Sequence, residues 1–209
     1  MPGSITADLL EKRPLELAVR AVLAFGIALW LSVVLSPMLL DALLPFYEQL
    51  VHLLDDHYRI DFALTRLTGH NKIGGDLVVL GHAAVERTFM VFGADTTVTL
   101  VPGESLTSST AIGVLMQPAI VMLGLVLGWP VRGTREVLMR GLLGLTLLAL
   151  WVILGIPAWL WISFQDIPIR AYSPDAFSVM TAIGKFLLNG GGVVLGALLG
   201  AGAIAAAKR

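Results

Sequence analysis

Four apolar runs free of charged residues alternate with polar stretches along this chain, and their lengths decide its class. Ala21 to Leu40 holds 20 uncharged residues between Arg20 and Asp41. Further charge-free runs lie at Ala111–Val131, Gly141–Phe164 and Phe186–Ala207. A helix needs about 20 apolar residues to cross about 30 Å of hydrocarbon, and each run meets that length. Four such helices buried together in a soluble domain would leave it almost no polar surface.

Between the first and second runs the pattern changes. From Asp41 to Asp56, Leu43, Leu44, Tyr47, Leu50, Val51 and Leu54 recur at helical spacing. This predicts an amphipathic helix that extends the first span or lies along the interface, with a bend near Pro37 or Pro45. The period then becomes two: Tyr58, Ile60, Phe62 and Leu64 alternate with Arg59, Asp61 and Thr65. Further strands are predicted at Asp76–Leu80, Val85–Phe92 and Thr96–Val101, separated by the turn-prone Gly69-His70-Asn71-Lys72, Gly81-His82 and Gly93-Ala94-Asp95. A small β-meander covered by the amphipathic helix is the expected product. The hydroxyls from Ser105 to Thr110 read as caps of the second span.

Composition agrees with this pattern. Of 209 residues 56% are hydrophobic and 14% charged, with 22 glycines and no cysteine, and mean hydropathy is +0.84. Soluble domains carry about 25% charged residues, so an ordinary water-soluble enzyme is excluded. A net charge of −1 without a basic block argues against nucleic acid as a partner.

The fold class expected is therefore an integral membrane protein, mainly α, with four transmembrane helices and a small external α+β insertion. In order, the segments are a cytoplasmic 1–20, helix 1 at 21–40, the external 41–110 and helix 2 at 111–131. A basic loop at 132–140, helix 3 at 141–164, an external 165–185 and helix 4 at 186–207 follow. Lys and Arg placement sets the orientation. The termini and the loop after the second span carry eight basic residues against four acids; the remaining segments carry six against eleven. Both termini are thus expected in the cytoplasm of an inner-membrane protein, with 41–110 periplasmic or extracellular. Trp129, Trp159, Trp161 and Phe164 fall near span edges, as interfacial aromatics do. Trp30 and Trp151 lie mid-span and are expected to pack on other helices. Ser173-Pro174-Asp175 reads as the capped start of the fourth helix.

Candidate chemistry is sparse. Absence of cysteine removes thiol nucleophiles, thiolate metal sites and CxxC redox chemistry. All four histidines, His52, His57, His70 and His82, lie in the external segment. His52, Asp56 and His57 are the candidate metal ligands, but His52 and His57 stand about 140° apart on a helix, so no metal or cofactor is expected. Ser105 lacks the GxSxG elbow of a serine hydrolase. Gln117 and Asn189 are the strongly polar interruptions within the second and fourth spans. Arg20, Arg140 and Lys185 lie at span edges, where snorkelling accounts for them. In the fourth span Gly192, Gly196 and Gly200 recur every fourth residue and Ala203 continues the ridge, a doubled GxxxG pattern that allows close helix approach. Its partner is either a helix of the same chain or another membrane subunit.

The arrangement resembles the small accessory membrane proteins of exosortase systems, in particular those called exosortase H-associated. The likeness is carried by Leu39–Leu54, by the strand opening Tyr58-Arg59-Ile60-Asp61, and by the run from Gln117-Pro118 to Leu127. It implies an accessory role at a bacterial cell envelope and no catalytic residue. The leading expectation is a non-enzymatic accessory or scaffold subunit of an envelope complex serving surface-protein sorting, secretion, pilus assembly or energy conversion. Its partners would be the lipid bilayer and other membrane subunits. The alternatives are a membrane-embedded enzyme or lipid-binding protein using an external rim of His52, Asp55, Asp56, His57 and Arg59, and a small transporter.

Overall fold

The computed structural model describes residues 14–67, 76–92, 97–131, 133–172 and 179–208. The chain is mostly helical, with a small β-sheet inserted after the first helix. Helix α1 spans Pro14–Leu54, and strands β1 (Tyr58–Leu67), β2 (Asp76–Val85), β3 (Phe89–Phe92), β4 (Thr97–Leu100) and β5 (Ser105–Ala111) follow. Next come α2 (Ile112–Gly128) and α3 (Thr134–Leu150), a π-helical turn at Trp151–Gly155, and α4 (Ile156–Tyr172). The last elements are α5 (Val179–Phe186), a second π-helical turn at Leu187–Gly191, and α6 (Gly192–Ala207).

Three helical stretches among the described residues are long and apolar enough to cross a membrane: Leu15–Leu54, Thr134–Ile169 and Thr181–Ala207. The expected second span falls short. Strand β5 takes the chain as far as Ala111, so α2 keeps 17 residues, about 26 Å at 1.5 Å per residue. Two other expected boundaries shift. The loop at 132–140 is mostly helix, since α3 starts at Thr134. The segment 165–185 begins as helix, because α4 continues through Pro168 to Tyr172. Helix α1 likewise continues through Pro37 and Pro45, so the amphipathic segment extends the first apolar run directly. The predicted turns at residues 69–72 and 93–95, and the cap at 173–175, lie wholly or largely outside the described residues, as does His70.

The helices and strands sort into two packed units. One comprises Met1–Val34, Gln117–Leu150 and Val193–Arg209. Its core is built from Met122, Val126 and Ala203, with Leu143, Leu147 and Leu199 packed around them. Small residues bring the backbones together: a Cβ at Gly128 would lie 3.2 Å from Ala24 Cβ, and one at Gly144 would lie 3.3 Å from Val126 Cγ1. Large apolar side chains such as Val22, Val33, Leu142, Leu145 and Leu198 face outward, as helices in contact with a lipid bilayer present them. Trp30 belongs with these, at 63% exposed, and does not pack on a neighbouring helix as expected. The buried stripe of α1 is made by Ala24 and Ala28, and Trp30 stands about 200° around the helix from Ala28.

The other unit comprises Leu35–Met116 and Trp151–Gly192. Leu40, Leu44, Tyr47 and Val51 form the buried stripe of α1 here, at the spacing of one helix face. The Tyr47 hydroxyl donates to the carbonyl of Val152 at 2.8 Å. The indole Nε1 of Trp151 donates to the carbonyl of Leu115 at 2.9 Å, so this tryptophan packs against a second helix as expected.

The sheet departs from a four-strand meander. Its order is β1-β2-β5, all antiparallel, and β3-β4 form a separate two-stranded pair. The inward alternation of Tyr58, Ile60 and Phe62 is as the pattern predicts. Gly81-His82 is not a turn but the middle of β2, where Phe62, Gly81 and Ser108 align across the three strands. Glycine is used there for space: a Cβ at Gly81 would come within 2.9 Å of Phe164 Cε2 and 3.0 Å of Phe62 Cε1. The hydroxyl run expected to cap α2 is β5 instead. Its threonines suit a pleated backbone, and pairing with β2 satisfies that backbone more fully than capping would.

Candidate functional site

Helix α1 ends where its last turn closes with the Asp55 amide donating to the Val51 carbonyl at 2.9 Å. The next three residues, Asp55, Asp56 and His57, turn the chain into β1 and bring one ligand-type atom each within 4.8 Å of one another. Asp55 is the hub. Its Oδ1 accepts the backbone N–H of His57 at 3.1 Å and lies 2.8 Å from His57 Nδ1. A carboxylate only accepts, so Nδ1 carries the proton of that bond. The other oxygen, Oδ2, accepts from Trp161 Nε1 at 3.4 Å and from Gln165 Nε2. Trp161 and Gln165 stand four apart on α4 and so share a face. Asp56 pairs with Arg87, and the Glu86 amide donates to the His57 carbonyl at 2.9 Å.

Aromatic packing closes the corner. Phe89 lies 5.1 Å from the His57 ring and meets Tyr58 edge-on at the same centroid distance. Tyr58 is fully buried, and its hydroxyl has no hydrogen-bond partner among the described residues. Burial, and secondarily the Asp55 carboxylate, raise its pKa above the ordinary phenol value.

Of the candidate metal ligands, Asp56 and His57 converge with Asp55, and His52 does not join them. Its Nδ1 lies 3.3 Å from the Tyr58 carbonyl oxygen, which ties the end of α1 to β1. Arg59 is exposed on the outward face of β1. His82 contacts Thr107 Oγ1 at 3.2 Å on the outward face of the sheet. A cation at the corner would compete with Arg87 for Asp56 and with three residues for Asp55. The arrangement works as a knot joining α1, β1 and α4.

The intramembrane candidates have different fates. A Cβ at Gly196 would collide with the Pro118 carbonyl oxygen and lie 2.9 Å from Val121 Cβ. One at Gly200 would lie 3.0 Å from Leu125 Cβ and 3.2 Å from the Met122 carbonyl oxygen. With Ala203 beside Met122 and Val126 in the core, this ridge is occupied by α2 of the same chain. Gly192 is buried at the start of α6. Gln117 is half-buried on α2, and Asn189 is exposed. Asn189 marks a break in the helix, with φ −91° and ψ 30°, and Gly190 follows at φ 98°, a left-handed conformation that favours glycine. Arg140 is 2% exposed and does not snorkel. It donates to the carbonyls of Trp129 and Pro130, both at 3.0 Å, and pairs with Glu136. It thereby fastens α3 to the carbonyls just beyond the end of α2.

A cavity of about 360 Å³ lies between β5, α4 and the turn after α5. Its lining includes Ser108 and Thr110 of β5, Trp159, Ile162, Ser163 and Asp166 from one face of α4, and Leu187 and Leu188. Ser108 and Thr110 stand across from Gly81 and Val79, on the inward face of the sheet. Asp166 is 6% exposed. The sequence reading missed this site. Its signal was the period-two alternation of Leu106, Ser108 and Thr110, which places hydroxyls where an inward strand face would carry apolar groups. The chain matches no known protein family, and neither characterised proteins nor solved structures yield a match.

Proposed function

We propose that this chain is a four-span protein of a bacterial inner membrane and serves as a non-enzymatic accessory subunit of an envelope complex. Both termini lie in the cytoplasm, and residues 41–110 face the periplasm or exterior. Helix α2, at 17 residues, crosses as the shortest span, accommodated by local thinning of the bilayer. The resemblance to exosortase-system accessory proteins belongs to this reading.

The observation that carries it is the state of the corner at Asp55–His57. Both oxygens of Asp55 hold donors from His57, Trp161 and Gln165, and Asp56 is paired with Arg87. The cluster of ionisable side chains at Asp55–His57 is therefore engaged in holding an extramembrane platform on the end of α1. Since α6 meets α2 through its glycine ridge, contacts with other subunits fall to the outer faces of the helices and to the sheet.

The test is native mass spectrometry of the protein extracted from its own membranes in mild detergent. A defined hetero-complex is expected, and its partners would name the process. A lone monomer would overturn the accessory role. His52→Ala and His57→Ala are expected to leave the complex assembled.

A further inference from the structure

We infer that the outer part of α1 carries an apolar seam that pairs with the same seam of a second copy of this chain, as a short parallel coiled coil. Leu39, Leu43, Phe46, Leu50 and Leu53 follow one another at intervals of four, three, four and three residues, the spacing of a helix that packs along another helix. They stand about 110° around α1 from Leu40, Leu44, Tyr47 and Val51, the stripe that its own unit buries. Leu39 and Phe46 are each 41% exposed and Leu53 is 82% exposed, while Leu43 and Leu50 are half-buried. All five belong to the unit that holds the sheet.

Length carries most of this seam beyond the lipid. Helix α1 has 41 residues, about 62 Å at 1.5 Å per residue, against about 30 Å of hydrocarbon. Asp41 and Glu48 lie along its outer part. The helix continues through Pro37 and Pro45, so it runs on from the span and does not fold over to rest on the bilayer surface. Apolar side chains in water at this spacing call for a covering helix. A second copy fits on two counts. Copies inserted the same way round bring their α1 extensions together parallel and in register, and each seam residue meets its counterpart about a two-fold axis. The residues bordering the seam, Leu40, Ala42, Tyr47, Gln49 and Leu54, carry no charge, so none of them repels an identical helix. Asp41 and His52 lie about 140–160° around the helix from it.

The parallel arrangement rests on the membrane reading above, and the experiment separates the two. The chain has no cysteine, so single cysteines can be introduced into the full-length protein and oxidised in its own membranes. A disulfide needs Cβ atoms about 3.5–4.5 Å apart, and crosslinking therefore reports contact between copies position by position. Phe46→Cys and Leu53→Cys are expected to form homodimers with yields about tenfold above those of Asp41→Cys and His52→Cys. Leu39→Cys, Leu43→Cys and Leu50→Cys should complete a pattern that rises and falls with the heptad. Leu53→Glu sets two like charges face to face, and sedimentation in detergent should show association weakened about tenfold. Leu53 is exposed within its own chain, so this variant keeps its fold and covers the case in which a cysteine variant does not.

Equal yields at seam and control positions, or no homodimer at any of them, overturn the inference, as does unchanged association in Leu53→Glu. Seam cysteines that crosslink only to a different protein overturn it and give the seam to another subunit. Quenching of a fluorophore on Phe46→Cys by lipid-borne nitroxides, without crosslinks, overturns it by placing the seam against the bilayer. The readings above fail separately. A crosslinked homodimer that carries no other subunit supports the seam and counts against the accessory role. One formed by a chain that stays dispersed without detergent supports the seam and counts against the membrane reading.

Discussion

Each of the two packed units is held internally, and the two use opposite means. In the unit containing α2, α3 and α6, backbones approach through missing side chains, as at Gly128 against Ala24 and Gly200 against Leu125. Its one buried cation, among the described residues, is Arg140 of α3, which donates to the carbonyls just beyond the end of α2. In the unit containing the sheet, residues far apart in sequence are cross-linked by polar side chains: Asp55 to Gln165, Tyr47 to Val152 and Glu48 to the Phe62 amide. Between apolar helices with lipid outside, hydrophobic burial gives little drive, so close van der Waals contact decides the packing. In the unit containing the sheet, directional hydrogen bonds fix how a helix, a strand and a second helix meet.

Breaking each device separately tests the contrast, and the largest effect is expected at Arg140. Arg140→Leu leaves Glu136 without its buried cation and the Trp129 and Pro130 carbonyls without donors. Removing one partner of a buried pair costs about 3–5 kcal/mol. Denaturant unfolding in detergent should show that loss, with a substantial part regained in Arg140→Leu/Glu136→Leu. An unchanged midpoint in the single variant would remove Arg140 as a fastening.

Gly196→Val comes next. The added carbons meet the backbone oxygen of Pro118, which cannot swing away, and overpacking of this kind costs about 1–3 kcal/mol. Gly202→Val is the control, since nothing lies within 4 Å of its Cβ position. Equal midpoints for the two variants would mean that the ridge does not depend on its close approach to α2.

In the other unit Asp55→Asn keeps the shape of the hub but removes its charge. Hydrogen bonds to a charged group contribute about 1.5–3 kcal/mol, and a loss of about 2 kcal/mol is expected. Hydrogen exchange should quicken at the start of β1, with α6 unaffected; equal quickening in α6 would deny that the units are held independently.

Tyr58→Phe should have the smallest effect, neutral or stabilising by up to about 1 kcal/mol, because the buried hydroxyl has no partner to lose. It also carries a pH signature. The folded pKa of Tyr58 is raised, so its stabilising contribution is complete below the unfolded value of about 10 and declines as pH rises through the folded value. The variant should therefore lose less stability than wild type above about pH 10. Identical alkaline unfolding profiles would show that Tyr58 does not titrate with unfolding.

Much of the α-helical plan was legible because it depends on local order. Leu44, Tyr47 and Val51 keep helical spacing, and Tyr58, Ile60 and Phe62 keep alternation, whatever they pack against. The errors fell where a residue has two uses. Gly81-His82 has the composition of a turn, yet the glycine serves Phe164, 83 positions further along the chain, and no local pattern carries that information. Ser105–Thr110 suits both a cap and a strand. Pairing with β2 selected the strand and shortened the helix behind it. Within the Asp55 knot, Asp56 and His57 were visible as neighbours, whereas Trp161 and Gln165 were hidden by 106 and 110 residues of separation.

The amino-acid sequence by itself determined the apolar runs, their approximate limits, the absence of thiol chemistry, and the ridge at Gly192, Gly196 and Gly200. All follow from residue type and from periodicities of a few residues. Only the tertiary structure decided that the ridge meets α2 of the same chain and that Arg140 is buried on two carbonyls. It also decided that Asp55 gathers α1, β1 and α4, and that Ser108, Thr110, Ser163 and Asp166 line one cavity. Those facts depend on which distant backbone comes to lie opposite, and that is settled by the simultaneous satisfaction of volume and hydrogen bonds across the fold.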